Sequence, residues 1–178
     1  MPALIEPDVC VHQSFVEAMA ELREDGYGGP RDGSTIGRDM REHAGLWETE
    51  DGFATYTHLV RSEAEGLNLP PGYVPSTSLW WADGPTYLGR IHIRHELTDM
   101  LREVGGHIGY YVRPSARRHG HATAMLRCAL PIVRELGIHT ALITCDVNNI
   151  ASRKVIEASG ASLEDERHGK LRYWVATG

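Results

Sequence analysis

The stretch Val112-Arg-Pro-Ser-Ala-Arg-Arg-His-Gly-His-Ala-Thr-Ala-Met-Leu126 constrains the fold of this chain more than any other. Before it, His107-Ile-Gly-Tyr-Tyr-Val112 is rich in β-branched and aromatic residues and predicts a short strand. After it, Ala122, Met125, Leu126, Ala129, Val133 and Leu136 recur at helical spacing, which predicts a helix with one apolar face. Pro114 favours an extended residue before it, so the strand ends near Arg113. Between strand and helix lies a basic turn. The first N–H groups of the helix lack internal partners and point outward, and the helix dipole adds about half a positive charge there. That end of the turn is suited to a phosphate or pyrophosphate. Gly120 lacks a Cβ and Ala122 is small, which leaves the backbone open to close approach. Arg117, Arg118, His119 and His121 supply further positive charge or donors.

A chain of 178 residues with 42% hydrophobic and 24% charged content is large enough for one domain, 1–178, with a full core. No apolar run approaches the ~18 residues of a membrane helix. The N-terminus shows neither a basic start nor an apolar signal core, so a cytoplasmic location is expected. Cys10, Cys128 and Cys145 show no ligand spacing and are expected to be reduced thiols that pack as small apolar groups. Net charge is −6, which disfavours general nucleic-acid binding. Residues 1–100 hold 17 Asp/Glu and 7 Lys/Arg, whereas residues 101–178 hold 7 and 11. The basic half suits a polyphosphate ligand. The acidic half would suit a cationic amine, although acidic helix faces commonly serve solvation alone.

Along the chain, Leu4-Ile5-Glu6 predicts a short strand, and His12 to Glu24 a helix with Phe15, Ala18, Met19 and Leu22 on one face. The Asp32-Gly-Ser34 turn can cap a second helix toward Ala44. A third helix is expected from Gly52 to Glu65, with Phe53, Tyr56, Leu59 and Val60 inward. Strands follow at Ser78–Ala82 and Tyr87–His95. In the latter, Ile91, Ile93 and His95 alternate with Arg90, His92 and Arg94, giving an apolar and a basic face. Leu97 to Val104 predicts a helical turn. Pro131 should kink or split the long helix. His139 to Cys145 predicts a central strand, and Ala161–Arg167 with Leu171–Val175 a closing hairpin.

Arg117-Arg-His-Gly-His-Ala122 contains neither Gly-x-x-x-x-Gly-Lys-Ser/Thr nor Gly-x-Gly-x-x-Gly. It resembles the Arg/Gln-x-x-Gly-x-Gly/Ala signature of the GNAT superfamily of N-acetyltransferases. A second block, Leu142 to Gly160, looks like that family's fifth strand and following helix. Physically, Asn148 or Asn149 can cap this helix and Gly160 can end it in the left-handed conformation. The likeness runs from about Val74 to the C-terminus. It implies an α/β fold with a mixed, twisted central sheet flanked by helices on both faces. It also implies acetyl-CoA as cosubstrate, held by residues 117–123 (Thr123 included), with the strand residues Tyr110, Tyr111 and Val112 pairing with the pantetheine arm. Asn149 and Ser152 would contact that arm as well.

The resemblance further implies direct acetyl transfer to an amine, with no acyl-enzyme. Many family members carry a tyrosine acid where this chain has Ile156, and some a glutamate base where it has Gly106. Substitutes are His107 as base, Tyr110 or Tyr111 as acid, or solvent for both. His92 and His95 are candidate substrate-positioning residues. No metal site is expected: His92-x-x-His95 lies on a strand, where such residues face opposite ways, and a cation would be repelled from the loop holding His119 and His121. The expected acceptor is a primary amine of an amino-acid-like or antibiotic-like small molecule. A protein N-terminus or lysine, a non-catalytic acyl-CoA-binding module and a nucleotide-binding protein are the alternatives. GNAT relatives are often dimers, so a homodimer is possible.

Overall fold

In the computed structural model, which describes residues 1–178, seven strands form one sheet. They are β1 (Ala3–Ile5), β2 (Ser76–Asp83), β3 (Thr86–Arg94), β4 (Ile108–Val112), β5 (Thr140–Asp146), β6 (Ser162–Arg167) and β7 (Lys170–Ala176). Their order in the sheet is β1-β2-β3-β4-β5-β7-β6. All pairings are antiparallel except β4 with β5, which is parallel and registers at one pair, Ile108 with Ile143. The mixed sheet covered on both faces is the expected architecture. No helix is long and apolar enough to cross a membrane.

Helices α1 (His12–Glu24), α2 (Thr35–Glu42) and α3 (Glu50–Ser62) cover one face. Phe15, Ala18, Met19 and Leu22 of α1 are buried as the periodicity requires. Phe15 sits at the centre of an aromatic cluster with Trp47, Phe53, Tyr56, Trp80 and Tyr87. Ser34 caps α2 by accepting from the Gly37 N–H at 3.1 Å, and Thr49 caps α3 in the same way. The third helix therefore starts before Gly52. Its inward row includes Thr57, while Leu59 is only partly covered.

Helices α4 (His121–Glu135) and α5 (Ile150–Ala158) cover the other face. Met125, Leu126, Ala129 and Val133 of α4 pack against Ile91, Ile93 and Ile143 in one core. Of the kink or split expected at Pro131, the split does not occur, and α4 is a single helix through it. Pro131 and Arg127 both lie on the solvent side, so the carbonyl deprived of its helix bond can reach water.

Of the basic alternate residues of β3, Arg90 and His92 are also buried, because they enter a polar network beneath α2 and α3 rather than solvent, while Arg94 at the strand end is partly buried. Asp39, fully buried, accepts from Arg90 at 2.6 Å, from Tyr56 at 2.8 Å and from Arg38 at 3.1 Å. Arg38 also pairs with Glu63 at 2.6 Å. Burial opposes the charge on Asp39, but the two guanidiniums outweigh it and hold its carboxyl below the ordinary range. Removing one member strands the others in a dry core. Asp39→Ala should therefore cost about 3–5 kcal/mol, read as a lower urea midpoint at unchanged slope.

Candidate active site

The parallel contact between β4 and β5 ends where the site begins. Past Ile108, β4 keeps β3 on one side and has no strand on the other. The β3–β4 ladder bonds through Arg94 N–H to His107 O and Arg113 N–H to Leu88 O. Alternation along that ladder turns the N–H and C=O of Tyr110 and the N–H of Val112 toward the open side. The Val112 carbonyl is taken by Arg117 Nε at 3.2 Å. The gap thus presents unpaired backbone donors and an acceptor along an extended edge, which an amide-bearing chain can join.

Beyond the gap lies the turn into α4. Pro114–Ala116 form a short helical turn, anchored when Glu21 of α1 accepts from the Arg113 guanidinium and from the Ser115 N–H and hydroxyl. Arg118 then takes φ 68° and Gly120 φ 80°, so the chain coils tightly into the helix. The N–H groups of residues 118 to 123 have no acceptor in the protein. Consecutive free amides at a helix N-terminus form an anion cradle. A cavity of about 680 Å³ joins this cradle to Tyr110–Val112 and to Asn149–Ser152 at the start of α5.

The expected cofactor residues are largely brought together, with differences in detail. Arg118, Gly120, Ala122 and Thr123 line the cavity. Arg117 lines it too, but its guanidinium is paired with Asp25 at 2.7 Å, so it braces the end of β4 rather than standing free. His119 does not line the cavity and turns its ring toward the Ala116 carbonyl. His121 lines it, yet its Nδ1 accepts from the Trp81 indole at 3.2 Å, which leaves its backbone N–H as its contribution. Asn149 caps α5 by accepting from Ser152 N–H at 3.0 Å. Ser152 Oγ lies 2.8 Å from the Tyr110 hydroxyl.

A second cavity, about 720 Å³, opens on the other side of β4. Tyr27, Tyr110, Tyr111, Asn149 and Ser152 border both cavities and mark their junction. Its sheet wall carries Arg90, His92 and Arg94, and its outer wall residues 31–36 and 72–74. His92 is buried there. His95 is not in this wall: it follows the end of β3 and bonds Thr77 at 2.8 Å. The acidity of the N-terminal half does not extend to this cavity. Arg31, Arg90, Arg94 and Lys170 outnumber Asp32 and Asp146 along this cavity. Of the acids of the N-terminal half only Asp32 lines it, bonded to the Gly28 and Ser34 N–H groups; Glu21 is engaged by Arg113, and Asp39 and Glu63 by the buried arginine network.

His107 is misplaced for a base. It borders neither cavity, and its Nδ1 accepts from the Leu142 N–H at 2.9 Å, latching β4 to β5. Burial, with Arg102 and Arg94 nearby, lowers its pKa to about 4. Gly106, the position of the family glutamate, has φ 66°, and a Cβ there would lie 2.6 Å from the Leu142 carbonyl, so no side chain fits. Tyr110 borders both cavities. Burial raises its pKa to about 12, so it is a protonated donor at neutral pH. Tyr111 is held by Tyr87 at 2.6 Å, its pKa raised by burial. Cys145 borders the second cavity, but burial pushes its thiol pKa up, which disfavours a thiolate nucleophile. Cys10 and Cys128 are exposed rather than packed. Tyr27 and Arg31 lie in helix-end and loop sequences that carry no motif, and the sequence marks Arg94 only as one of the basic residues of β3.

A splayed β4–β5 pair with an amide cradle at the next helix is the geometry of an acyl-CoA acyltransferase. The GNAT acetyltransferase domain model matches residues 38–162, and the chain belongs to that family of acetyl-CoA-dependent acyltransferases. No curated protein sequence matches significantly. Among solved structures, Mycobacterium smegmatis RimJ in complex with a CoA disulfide is 18% identical, over 98% of this chain and 81% of that one, with a TM-score of 0.67. The PaiA N-acetyltransferase of Thermoplasma acidophilum in complex with coenzyme A is 16% identical over 99% of both chains, TM-score 0.60. A Salmonella typhimurium acetyltransferase that modifies the N-terminal serine of ribosomal protein L7/L12 is 13% identical, over 98% and 94%, TM-score 0.61. At such identities the likeness is one of fold.

Two variants test these placements. A Cβ at Gly120 would meet nothing within 4 Å, so the penalty of Gly120→Val comes from the left-handed backbone, which valine resists. The cradle should be lost, and with it the rise in melting temperature on adding CoA, while the circular dichroism stays unchanged. For His107, the unfolded chain protonates first as pH falls from the ordinary 6.5, so native stability should drop between there and about 4. His107→Gln, which still offers an acceptor to Leu142, should flatten that drop in urea titrations across the same pH range.

Proposed function

We propose that this protein transfers the acetyl group of acetyl-CoA directly to a primary amine of a small, amino-acid-like molecule. The observation that carries the reading is the meeting of the two cavities at Tyr110, between an amide cradle on one side and a polar, residue-lined chamber on the other. The free amides of residues 118–123 would hold the pyrophosphate, and the Tyr110–Val112 edge the pantetheine arm. A backbone N–H on that edge would polarise the thioester carbonyl. An amine nitrogen in the second cavity then attacks the carbonyl carbon, and the C–S bond breaks as the C–N bond forms. The departing thiolate takes the Tyr110 proton. The phenolate, with a pKa of about 12, recovers one from the nitrogen or from water.

No carboxylate stands where the family base would. The cationic wall of the acceptor cavity compensates in part, because nearby positive charge lowers the pKa of an ammonium group and favours its neutral, nucleophilic form. That effect suffices more readily for an α-amine whose carboxyl is in amide linkage, with a reference pKa of about 7.7–8.0, than for a lysine at about 10.4. A second reading, a protein N-terminus as acceptor, is supported by the N-terminal serine substrate of the Salmonella neighbour.

A thiol-release screen of free α-amines and N-terminal peptides with acetyl-CoA tests the proposal. Turnover of small amines supports the first reading, turnover of peptides alone the second, and CoA binding without either the non-catalytic alternative. Tyr110→Phe should lower kcat by about 10²-fold or more, the usual contribution of a positioned proton donor, with CoA affinity preserved. In the wild type the rate should rise with pH as the amine deprotonates. No loss from Tyr110 ionisation should appear until pH approaches 12.

A further inference from the structure

We infer that the acceptor cavity selects an amine that also carries a carboxylate, which Arg94 and His92 would bind. The inference rests on the amine-acceptor reading above and narrows its substrate class. Four cationic side chains border the cavity, and their partners differ. Arg90 is neutralised by Asp39 at 2.6 Å, and Lys170 by Asp146 at 2.7 Å. Arg31 is an exposed loop residue. Arg94, at the end of β3 and partly buried, has no carboxylate within 4 Å. One of its nitrogens, Nη1, reaches the carbonyls of Gly105 at 3.4 Å and Gly106 at 3.1 Å. Those bonds fix the guanidinium in the wall while its Nε and Nη2 are left without protein acceptors. A planar fork with free donors matches a carboxylate.

His92 adds a donor whose direction is fixed by its neighbours. Ser78 Oγ accepts from Arg90 Nε at 3.2 Å and Nη2 at 2.7 Å. Its own hydrogen is then left for His92 Nδ1, 2.9 Å away. The ring therefore carries its proton on Nε2, for which the protein provides no acceptor. Burial, followed by the charges of Arg90 and Arg94, keeps it from taking a second proton. Since i and i+2 side chains share a strand face, His92 and Arg94 act from the same wall, about 7 Å apart along the strand. Both present hydrogens and neither presents a lone pair. A ligand group with lone pairs and negative charge satisfies both, whereas a second ammonium, as in a diamine, would be repelled.

The carboxylate could be that of a free α-amino acid or the side chain of an acidic first residue in a peptide. Initial rates of thiol release should be compared for amino acids and their primary amides, and for peptides beginning with Asp or Glu against Asn or Gln. Each pair is matched in concentration of unprotonated amine. The expected result is at least about a 10-fold higher kcat/KM for the carboxylate member, in line with a charge-assisted hydrogen bond. Arg94→Gln should collapse that ratio toward one through KM, and Arg94→Lys should restore part of it. A response in the first set alone identifies a free amino acid, and in the second alone an acidic N-terminus. Equal rates within pairs overturn the inference while the amine-acceptor reading stands. Should no amine release thiol, that reading fails, and calorimetry on the CoA-loaded protein decides the matter with N-acetyl amino acids against their amides. Carboxylate-selective binding that Arg94→Gln removes would uphold the anion site, and its absence would overturn it.

Discussion

The parting of β4 from β5 after the Ile108–Ile143 pair is the constraint on which the site depends. Parallel neighbours normally continue side by side, satisfying each other's backbone groups. Here the strands are held together only at their beginnings, where Gly106 approaches the Leu142 carbonyl and His107 Nδ1 accepts the Leu142 N–H. Past that latch, the backbone edge of β4 opens into the interior of the protein. The opening connects the amide cradle of α4 with the acceptor cavity and puts the Tyr110 hydroxyl between them. A side chain at Gly106 would push the strands apart at the latch, so the absence of a glutamate there is a condition of this packing.

The acceptor side is bound to the sheet by charge as well as by apolar contact. Asp39 reaches down from α2 to Arg90 of β3, Tyr56 joins from α3, and Arg38 extends the network to Glu63. Through Ser78, the same Arg90 sets the tautomer of His92 in the cavity wall. Groups that anchor the helices therefore also decide what the cavity donates. Buried ionic groups of this kind specify geometry at some expense in desolvation.

Much of the architecture was legible because it follows from local rules. The strand–turn–helix around Gly120, the apolar face of α1, the cap at Asn149 and the left-handed end at Gly160 are each set by neighbouring residues. Whether Pro131 splits its helix was not legible, because the outcome depends on which side of the helix faces solvent. The histidines show the same dependence. His92, His95, His107 and His119 share one chemistry in the sequence, yet one lines the acceptor cavity, one bonds Thr77, one latches two strands and one turns to a carbonyl.

Net charge by segment proved a poor guide to the second cavity, since it counts carboxylates without knowing which are paired. Asp39 and Glu63 are spent inside the fold, while Arg94 is left facing the cavity. By itself, then, the sequence determined the class of fold and the place of the amide cradle, because both arise from short-range backbone geometry and periodicity. The shape and polarity of the acceptor cavity, the placing of Tyr110 at its mouth and the free donors of Arg94 and His92 were decided only by tertiary structure. They depend on pairings between residues far apart in the chain, such as Arg90 with Asp39 and His107 with Leu142, which no local pattern encodes.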